Sequence, residues 1–221
     1  MLAERPGKQR ILVLGGSVFN RGMEPLLDER FDLVESDVSF GARTQVIVDA
    51  HDIPFVDGTF DAVAAQAVFE HVLDPGRCVS ECHRVLKADG LIYAEPPFLQ
   101  PVHAGPYDFT RFTHMGHRYL FRDFEELDSG PIVGQAIVFA GAVVNFFRGL
   151  SSTPKIRSIL GLLATFLVSW AKYLDERMMR QPAAYDVAYG YYFLGKSSAT
   201  QLEGRELVKQ YRGGLSLLAP R

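Results

Sequence analysis

Two aspartates follow short apolar runs at a spacing that suits a bound nucleoside. Asp37 lies about 20 residues beyond the glycine pair Gly15-Gly16, and an acid at that distance can accept hydrogen bonds from both hydroxyls of a ribose. Asp49 could accept from an adenine amino group, while a backbone N–H after Ala50 donates to the adjacent ring nitrogen. The sequence therefore predicts that these residues meet around one nucleoside.

Plainer interpretations of the same residues stay open. Small residues at Gly15-Gly16-Ser17 let the backbone approach an anionic group, but they fit an ordinary tight turn equally well. Asp37 could be a solvated surface acid, and Glu35 competes with it for the ribose.

An alternation of strands and helices positions these residues. Apolar runs predict buried strands at residues 11–14, 31–34, 44–48, 60–65 and 91–94, and helices at residues 23–30 and 75–87. Such alternation indicates a parallel sheet with helices on both faces. An open parallel sheet binds ligands at the carboxyl ends of its strands, where both aspartates are expected.

The second half of the chain is more apolar. Residues 113–124 predict a helix capped by Thr113, and residues 125–129 and 189–194 predict the last two strands. Between these strands lie two uncharged stretches at residues 131–147 and 158–171. They could form helices that cover the site or pack in a homodimer, or they could lie on a membrane surface. Residues 160–170 are expected to be too short to span a bilayer, which takes about 20 apolar residues.

Composition limits the function classes. The 221 residues carry a formal net charge of −3, so no general affinity for nucleic acid is expected. Cys78 and Cys82 lie on a predicted helix beside His83 and are interpreted as buried helix residues in a reducing compartment, without a metal. Residues 1–10 lack an apolar signal segment, which favours a cytoplasmic protein, with or without membrane contact.

Three linked segments resemble the small-molecule class I methyltransferases that use S-adenosylmethionine. They are the stretch beginning Asp49-Ala-His-Asp-Ile-Pro-Phe and ending Phe60-Asp-Ala-Val63, then Phe69-Glu-His-Val72, then the stretch from His83-Arg-Val-Leu-Lys to Ile92. The resemblance covers roughly the first 125 residues. It implies S-adenosylmethionine as cofactor, with Gln66 beside its methionine half. The binding residues expected are Gly15, Gly16, Ser17, Asp37, Asp49, Ala50 and Gln66.

One segment departs from the family pattern. The family's first loop usually reads G-x-G-x-G, whereas this chain has Ser17 at the second glycine and a later glycine at Gly22. The loop is therefore expected to follow a different path, and a catalytically silent relative stays among the alternatives.

Methyl transfer itself needs mainly alignment of nucleophile, methyl carbon and sulfur, and a base helps when the acceptor carries a proton. His71, His103 and Tyr107 are the expected catalytic residues, and His114 is a further candidate. His71 has a structural alternative, in which it only hydrogen-bonds backbone. The aromatic loop at residues 100–113 is interpreted as a lid over the pocket.

Asp108 and Arg111 lie in that loop and are expected to contact substrate. Arg111 could bind an anionic acceptor, or the two residues could pair and simply order the loop.

Together these features predict an α/β fold, a Rossmann-like, doubly wound, seven-stranded and mostly parallel sheet with a helical insertion before the last strand. The single domain divides into a cofactor-binding core at residues 1–130, an apolar insertion at residues 131–187 and a final strand at residues 188–198. The predicted function is methyl transfer to a small or lipid-linked acceptor. The alternatives are a non-catalytic scaffold of the same fold and an NAD-dependent oxidoreductase, although no Tyr-x-x-x-Lys pair supports the latter.

Overall fold

Seven strands form one sheet in a computed structural model that describes residues 2–17 and 22–215. The strands are β1 (Gln9–Leu14), β2 (Phe31–Asp37), β3 (Val46–Ile47), β4 (Phe60–Gln66), β5 (Leu86–Glu95), β6 (Phe124–Val133) and β7 (Gly190–Ser197). Their order across the sheet is β3-β2-β1-β4-β5-β7-β6. Within this sheet β7 runs opposite to the other six strands, and the predicted fold class is confirmed.

Six helices accompany the sheet over the described residues. They are α1 (Pro75–Val85), α2 (His114–Leu120), α3 (Gln135–Gly149), α4 (Pro154–Val168), α5 (Lys172–Met179) and α6 (Gly204–Lys209). Helix α1 begins where Asp74 accepts a hydrogen bond from the Arg77 backbone N–H, at 3.0 Å, with Pro75 at the first helical position. Cys78 and Cys82 lie on its buried face as free thiols, as expected.

Several element boundaries differ from the prediction. Residues 23–30 contain only a 3-10 turn, Glu24–Leu27, and the third strand shrinks to Val46–Ile47 because it lies at the edge of the sheet. Helix α2 ends at Leu120 rather than at residue 124. Thr113 caps that helix as predicted, since its hydroxyl accepts from the Gly116 N–H at 3.1 Å.

The centre of the sheet is buried on both faces, as a parallel sheet with helices on each side requires. Every residue of β4 before Gln66 is buried. One face packs a large cluster that includes Phe60, Phe69 and Phe121. The opposite face packs a smaller cluster around Ile11 and Met23. This double burial fixes the strand ends, and with them the residues that follow each strand.

The insertion between β6 and β7 is helical and longer than the apolar pattern indicated. Helices α4 and α5 join through a 3-10 turn into one helical run of 26 residues, Pro154–Met179, of which the most apolar window has mean hydropathy 1.2. By length and composition alone this run is long and apolar enough to cross a membrane, although the apolar stretch at residues 160–170 is itself shorter than a span requires. The first apolar stretch begins inside β6, and its helix begins only at Gln135.

Candidate functional site

The carboxyl ends of β1, β2 and β3 meet around one cavity. The Gly16 N–H donates to the Ser36 carbonyl at 2.8 Å, and the Val48 N–H donates to the Asp37 carbonyl at 2.9 Å. These bonds hold the three strand ends side by side. The cavity encloses 160 Å³, and its lining includes Leu14, Gly15, Ser36, Asp37, Val48, Ala50, Ala67, Val68 and His71. Asp37 and Ala50 therefore face one space, whereas Asp49, the other aspartate of the nucleoside prediction, is not among the lining residues.

Gly15 is the position in this cavity where only glycine fits. Its φ is +70°, a conformation that costs other L-residues about 1–2 kcal/mol. A Cβ there would also lie 2.8 Å from the Cγ2 of Val68. Directly after β4, Ala67 has a positive φ of 54°, the one non-glycine residue of the described chain in that region. Strained backbone of this kind clusters at ligand sites. Residues 18–21 of the glycine loop lie outside the described residues.

Asp37 lies at the end of β2 with its carboxylate already hydrogen-bonded. Its Oδ1 accepts from the Ser39 N–H at 3.0 Å and from the Ser39 hydroxyl at 3.1 Å. Partial burial alone would raise the pKa of Asp37, but hydrogen bonds from Ser17 and Ser39 outweigh it and lower that pKa. The group is therefore a carboxylate at neutral pH, able to accept hydrogen bonds from a diol.

Ala50 and Asp49 take different positions after β3. Ala50 is buried and lines the cavity. The Asp49 side chain is 66% exposed, and its Oδ1 accepts from the backbone N–H and the Nδ1 of His51, at 2.9 and 2.6 Å. These hydrogen bonds lower the pKa of Asp49. The other carboxylate oxygen is the atom with which Asp49 could accept a hydrogen bond from the amino group of a nucleobase.

Three further predicted cofactor residues lie beside the cavity and not among its lining residues. Gly16 and Ser17 form the turn after β1, where Ser17 donates to Asp37. Gln66, at the end of β4, donates through Nε2 to the Glu95 Oε2 at 2.7 Å, which holds it against β5.

The three predicted catalytic residues lie close together: they are His71, which also lines the cavity, His103 and Tyr107. His71 Nδ1 lies 2.7 Å from the Tyr107 carbonyl oxygen, and His71 Nε2 lies 3.1 Å from His103 Nε2. His71 follows β4, whereas His103 and Tyr107 belong to the loop after β5. This loop folds back over the strand ends, because Phe109 and Thr110 both donate backbone hydrogen bonds to the Glu70 carbonyl. The Tyr107 ring itself is exposed.

Glu70 is the residue of this cluster that sequence reasoning missed. Its side chain is fully buried, and neither carboxylate oxygen has a hydrogen-bond partner among the described residues. Burial is the largest influence on its carboxyl group and raises the pKa of Glu70. The sequence signal was available, since Glu70 directly precedes His71 in the segment that supported the family resemblance.

Asp108 and Arg111 are joined in a bidentate ion pair. Arg111 Nη2 lies 2.6 Å from Asp108 Oδ2, and Arg111 Nε donates to the Gln100 carbonyl at 3.0 Å. The Asp108 side chain is 1% exposed, and the Arg111 guanidinium holds its pKa well below the usual range. The pair orders the loop, which is the alternative that the sequence left open. A contact with substrate stays a prediction. His114 lies away from this cluster, against Tyr185 and Tyr191.

Part of the chain is similar in sequence to known methyltransferases. Residues 16–94 match the family model described as a methyltransferase domain. A ubiquinone biosynthesis O-methyltransferase of Pseudomonas aeruginosa is 28% identical over 151 residues, which are 63% of this chain and 61% of the relative. A demethylmenaquinone methyltransferase of Thermotoga maritima is 42% identical over 45 residues, 20% of each chain. The chain thus spans from a fifth to about three-fifths of the length of these curated relatives.

The fold is shared with solved methyltransferases. One is the 1,6-didemethyltoxoflavin-N1-methyltransferase of Burkholderia thailandensis, solved with 1,6-didemethyltoxoflavin and S-adenosylhomocysteine. It superposes with a TM-score of 0.51 at 12% identity, over 87% of this chain and 72% of that one. The match to the methyltransferase domain begins just after β1, at Gly16, and ends in β5, at Ala94, so it includes the ends of β2, β3 and β4. The matched residues thus resemble a methyltransferase domain in sequence, and the chain shares its fold with solved S-adenosylmethionine-dependent methyltransferases of the class I, Rossmann-like type.

Proposed function

We propose that this chain transfers a methyl group from S-adenosylmethionine to a small acceptor molecule at the carboxyl edge of its sheet. One observation carries the proposal: Gly15, Asp37 and Ala50, from three successive strand ends, line one cavity that His71 also lines. When bound, S-adenosylmethionine supplies an activated methyl group on a sulfonium. The residues of the chain then have to bind, orient and exclude water.

The cofactor half of the cleft fits a nucleoside. Asp37 would accept from the ribose hydroxyls, exchanging some of its bonds to Ser17 and Ser39 for bonds to the ligand. Ala50 and Val48 would pack on adenine, with the free oxygen of Asp49 accepting from its amino group. Gly15 lets the backbone approach the ligand closely, because it carries no Cβ.

The acceptor half of the cleft is the cluster of His71, His103 and Glu70 under the loop that carries Tyr107. We assign to this cluster the activation of an acceptor O–H or N–H group. His71 both lines the cofactor cavity and contacts His103, so an acceptor beside it would lie next to the methyl group. The Tyr107 carbonyl orients the His71 ring, and the Asp108–Arg111 pair holds the loop in place.

The helical insertion between β6 and β7 exposes an apolar surface. Such a surface favours contact with a membrane, and with it an acceptor that is lipid-linked or otherwise apolar. Helix α4 exposes Leu162, Leu163 and Phe166, the last of them at 82%. No acidic residue lies between Asp128 and Asp175, whereas residues 135–180 contain six basic residues and two acidic ones in a chain of net charge −3. An apolar face with a basic surround is suited to an anionic membrane surface. We propose that the insertion makes peripheral membrane contact there.

Calorimetry with S-adenosylhomocysteine tests the cofactor site. Asp37→Ala should weaken binding by about 1–3 kcal/mol, or roughly 5- to 150-fold, because two hydrogen bonds to a charged acceptor are lost. Glu35→Gln is the matched control: Glu35 lies two residues earlier on β2, is buried and pairs with Arg43 at 2.7 Å. Equal affinities of wild type and Asp37→Ala would reject the ribose assignment. No binding to the wild type at millimolar ligand would favour a scaffold role.

Vesicle sedimentation tests the membrane contact. The wild type should sediment with vesicles of an anionic phospholipid and less with zwitterionic ones, and added salt should weaken the binding. Phe166→Ser should reduce sedimentation, whereas Val208→Ser, at another highly exposed apolar position, on α6, should not. Failure of the wild type to sediment, together with a dimer in sedimentation velocity, would assign the apolar face to a second copy of the chain.

A further inference from the structure

The cluster under the loop at residues 100–113 contains three groups whose lone pairs converge. His71, His103 and Glu70 each direct one ligand atom toward the others, and these atoms all lie within 4.8 Å of one another. The two His71 and His103 Nε2 atoms are 3.1 Å apart, and Glu70 Oε1 lies 3.7 Å from the first and 3.8 Å from the second.

The hydrogen bonds of the two rings determine where their lone pairs face. The Tyr107 carbonyl can only accept, so His71 Nδ1 carries the proton that it shares at 2.7 Å. Asp108 Oδ2 lies 3.4 Å from His103 Nδ1 and also accepts from the His103 backbone N–H at 3.0 Å. His71 therefore presents an unprotonated Nε2 toward the Nε2 of His103, 3.1 Å away. A proton on His103 Nε2 joins the two nitrogens when no metal is bound, and release of that proton frees both lone pairs for one cation.

Glu70 adds an anionic ligand at the same point. Its side chain is fully buried, and both oxygens lack a hydrogen-bond partner within the described part of the chain. A buried carboxylate without a partner is costly, so natural structures pair it, protonate it or let it coordinate a cation.

The triangle of ligand atoms has the size of a metal site. A point within a triangle of sides 3.1, 3.7 and 3.8 Å lies about 2.1 Å from all three corners, which is the distance of zinc from histidine nitrogen and carboxylate oxygen. An outer hydrogen bond also matches: a ligating histidine donates its other ring N–H to a carbonyl or carboxylate, as His71 does to the Tyr107 carbonyl, and Asp108 Oδ2 lies 3.4 Å from His103 Nδ1.

We propose that Glu70, His71 and His103 bind one divalent first-row transition metal ion, with zinc as the ion to test first. Two histidines and one carboxylate form the protein ligand set of catalytic zinc sites, which keep a further position open for water or substrate. Because His71 also lines the cofactor cavity, the ion lies at the wall between cofactor and acceptor.

The role of the ion rests on the proposed function, but its binding does not. An acceptor hydroxyl bound at the open position would lose its proton to solvent water more readily, since a bound cation stabilises the resulting oxyanion. The acceptor-activating role of the cluster is then performed through the metal, with Tyr107 and Asp108 as positioning residues.

Zinc binding to tag-free, chelator-treated protein tests the site. Calorimetric titration with zinc chloride should show one ion per chain, and Co²⁺ should give the visible absorption of a nitrogen- and oxygen-ligated ion. His103→Asn and Glu70→Gln should each weaken zinc binding at least a hundredfold. His83→Gln, a histidine on α1 that bonds Ser198, should bind as the wild type does. If Glu70→Gln, at a buried position, fails to fold, His103→Asn in the loop still tests the metal site.

The outcomes separate the two proposals. No stoichiometric zinc on the wild type, or equal zinc affinity in the wild type and His103→Asn, would overturn the metal site. Calorimetry of the metal-free wild type with S-adenosylhomocysteine reports on the cofactor site alone. Cofactor binding without zinc binding therefore rejects only the metal, and zinc binding without cofactor binding rejects only the proposed methyl transfer.

Discussion

Replacing Asp175 by alanine should release the start of helix α3 while the strand ends of the core stay folded. Asp175 lies on α5, is buried, and caps α3 from outside its own sequence. Its Oδ2 accepts from the Gly134 N–H at 2.8 Å, and its Oδ1 accepts from the Ala136 and Ile137 N–H groups at 3.0 and 3.1 Å. These are donors that the first turn of a helix cannot satisfy internally, and the carboxylate also lies at the positive end of the helix dipole.

The magnitude follows from the three donors left without an acceptor. Each N–H group that loses its acceptor costs about 1–1.5 kcal/mol, so the free energy of local unfolding at the start of α3 should fall by about 3–5 kcal/mol. Hydrogen exchange should then accelerate about a hundredfold or more in α3, with much smaller changes in β1 and β4. Glu176→Ala is the matched control, because that neighbouring carboxylate is 83% exposed and pairs with the exposed Arg180. Unchanged exchange in α3 of the alanine variant would refute the capping argument.

Three further outcomes follow from single residues. Gly15→Ala should lower the free energy of unfolding, measured by urea denaturation, by about 1–2 kcal/mol. Alanine disfavours a φ of +70°, and its Cβ would press on Val68. An unchanged free energy of unfolding would contradict that backbone conformation. Burial lowers the pKa of His117 to about 3, so unfolding takes up a proton between that pH and about 6.5, and stability falls as pH drops through this window. His117→Phe should flatten the slope, at most about 1.4 kcal/mol per pH unit, in urea titrations at pH 5 and 7.5; an unchanged slope would refute the assignment. Cys82, whose pKa is raised by burial, should resist iodoacetamide at pH 8 until the protein is unfolded.

The fold was largely predictable because its signals are local. Short apolar runs ending in turn residues identify buried parallel strands, and the alternation with helices restricts the topology. The errors lie where tertiary contacts decide. The third strand is cut to Val46–Ile47 at the edge of the sheet, and the helix expected at residues 23–30 gives way to a 3-10 turn that contains Pro25. Helix α4 continues through Trp170 into α5, although charges interrupt the apolar pattern there.

The cofactor half of the site was more predictable than the acceptor half, for a physical reason. Parallel strands bring their carboxyl ends to one edge, so Asp37 and Ala50 are neighbours in any fold of this order. His103 reaches His71 only because the loop after β5 folds back, and that path depends on backbone bonds to Glu70 that no pattern of residue types reveals.

The same loop gives Arg111 a structural role. Its guanidinium binds Asp108 and the carbonyls of Gln100 and Thr110, and these bonds fix the backbone that carries His103. Asp108 in turn faces His103 Nδ1, so one buried carboxylate both receives the arginine and orients the imidazole. Loss of the arginine would leave that carboxylate without its main partner, and the imidazole would lose its fixed orientation. The ion pair that orders the loop therefore also supports the proposed acceptor site.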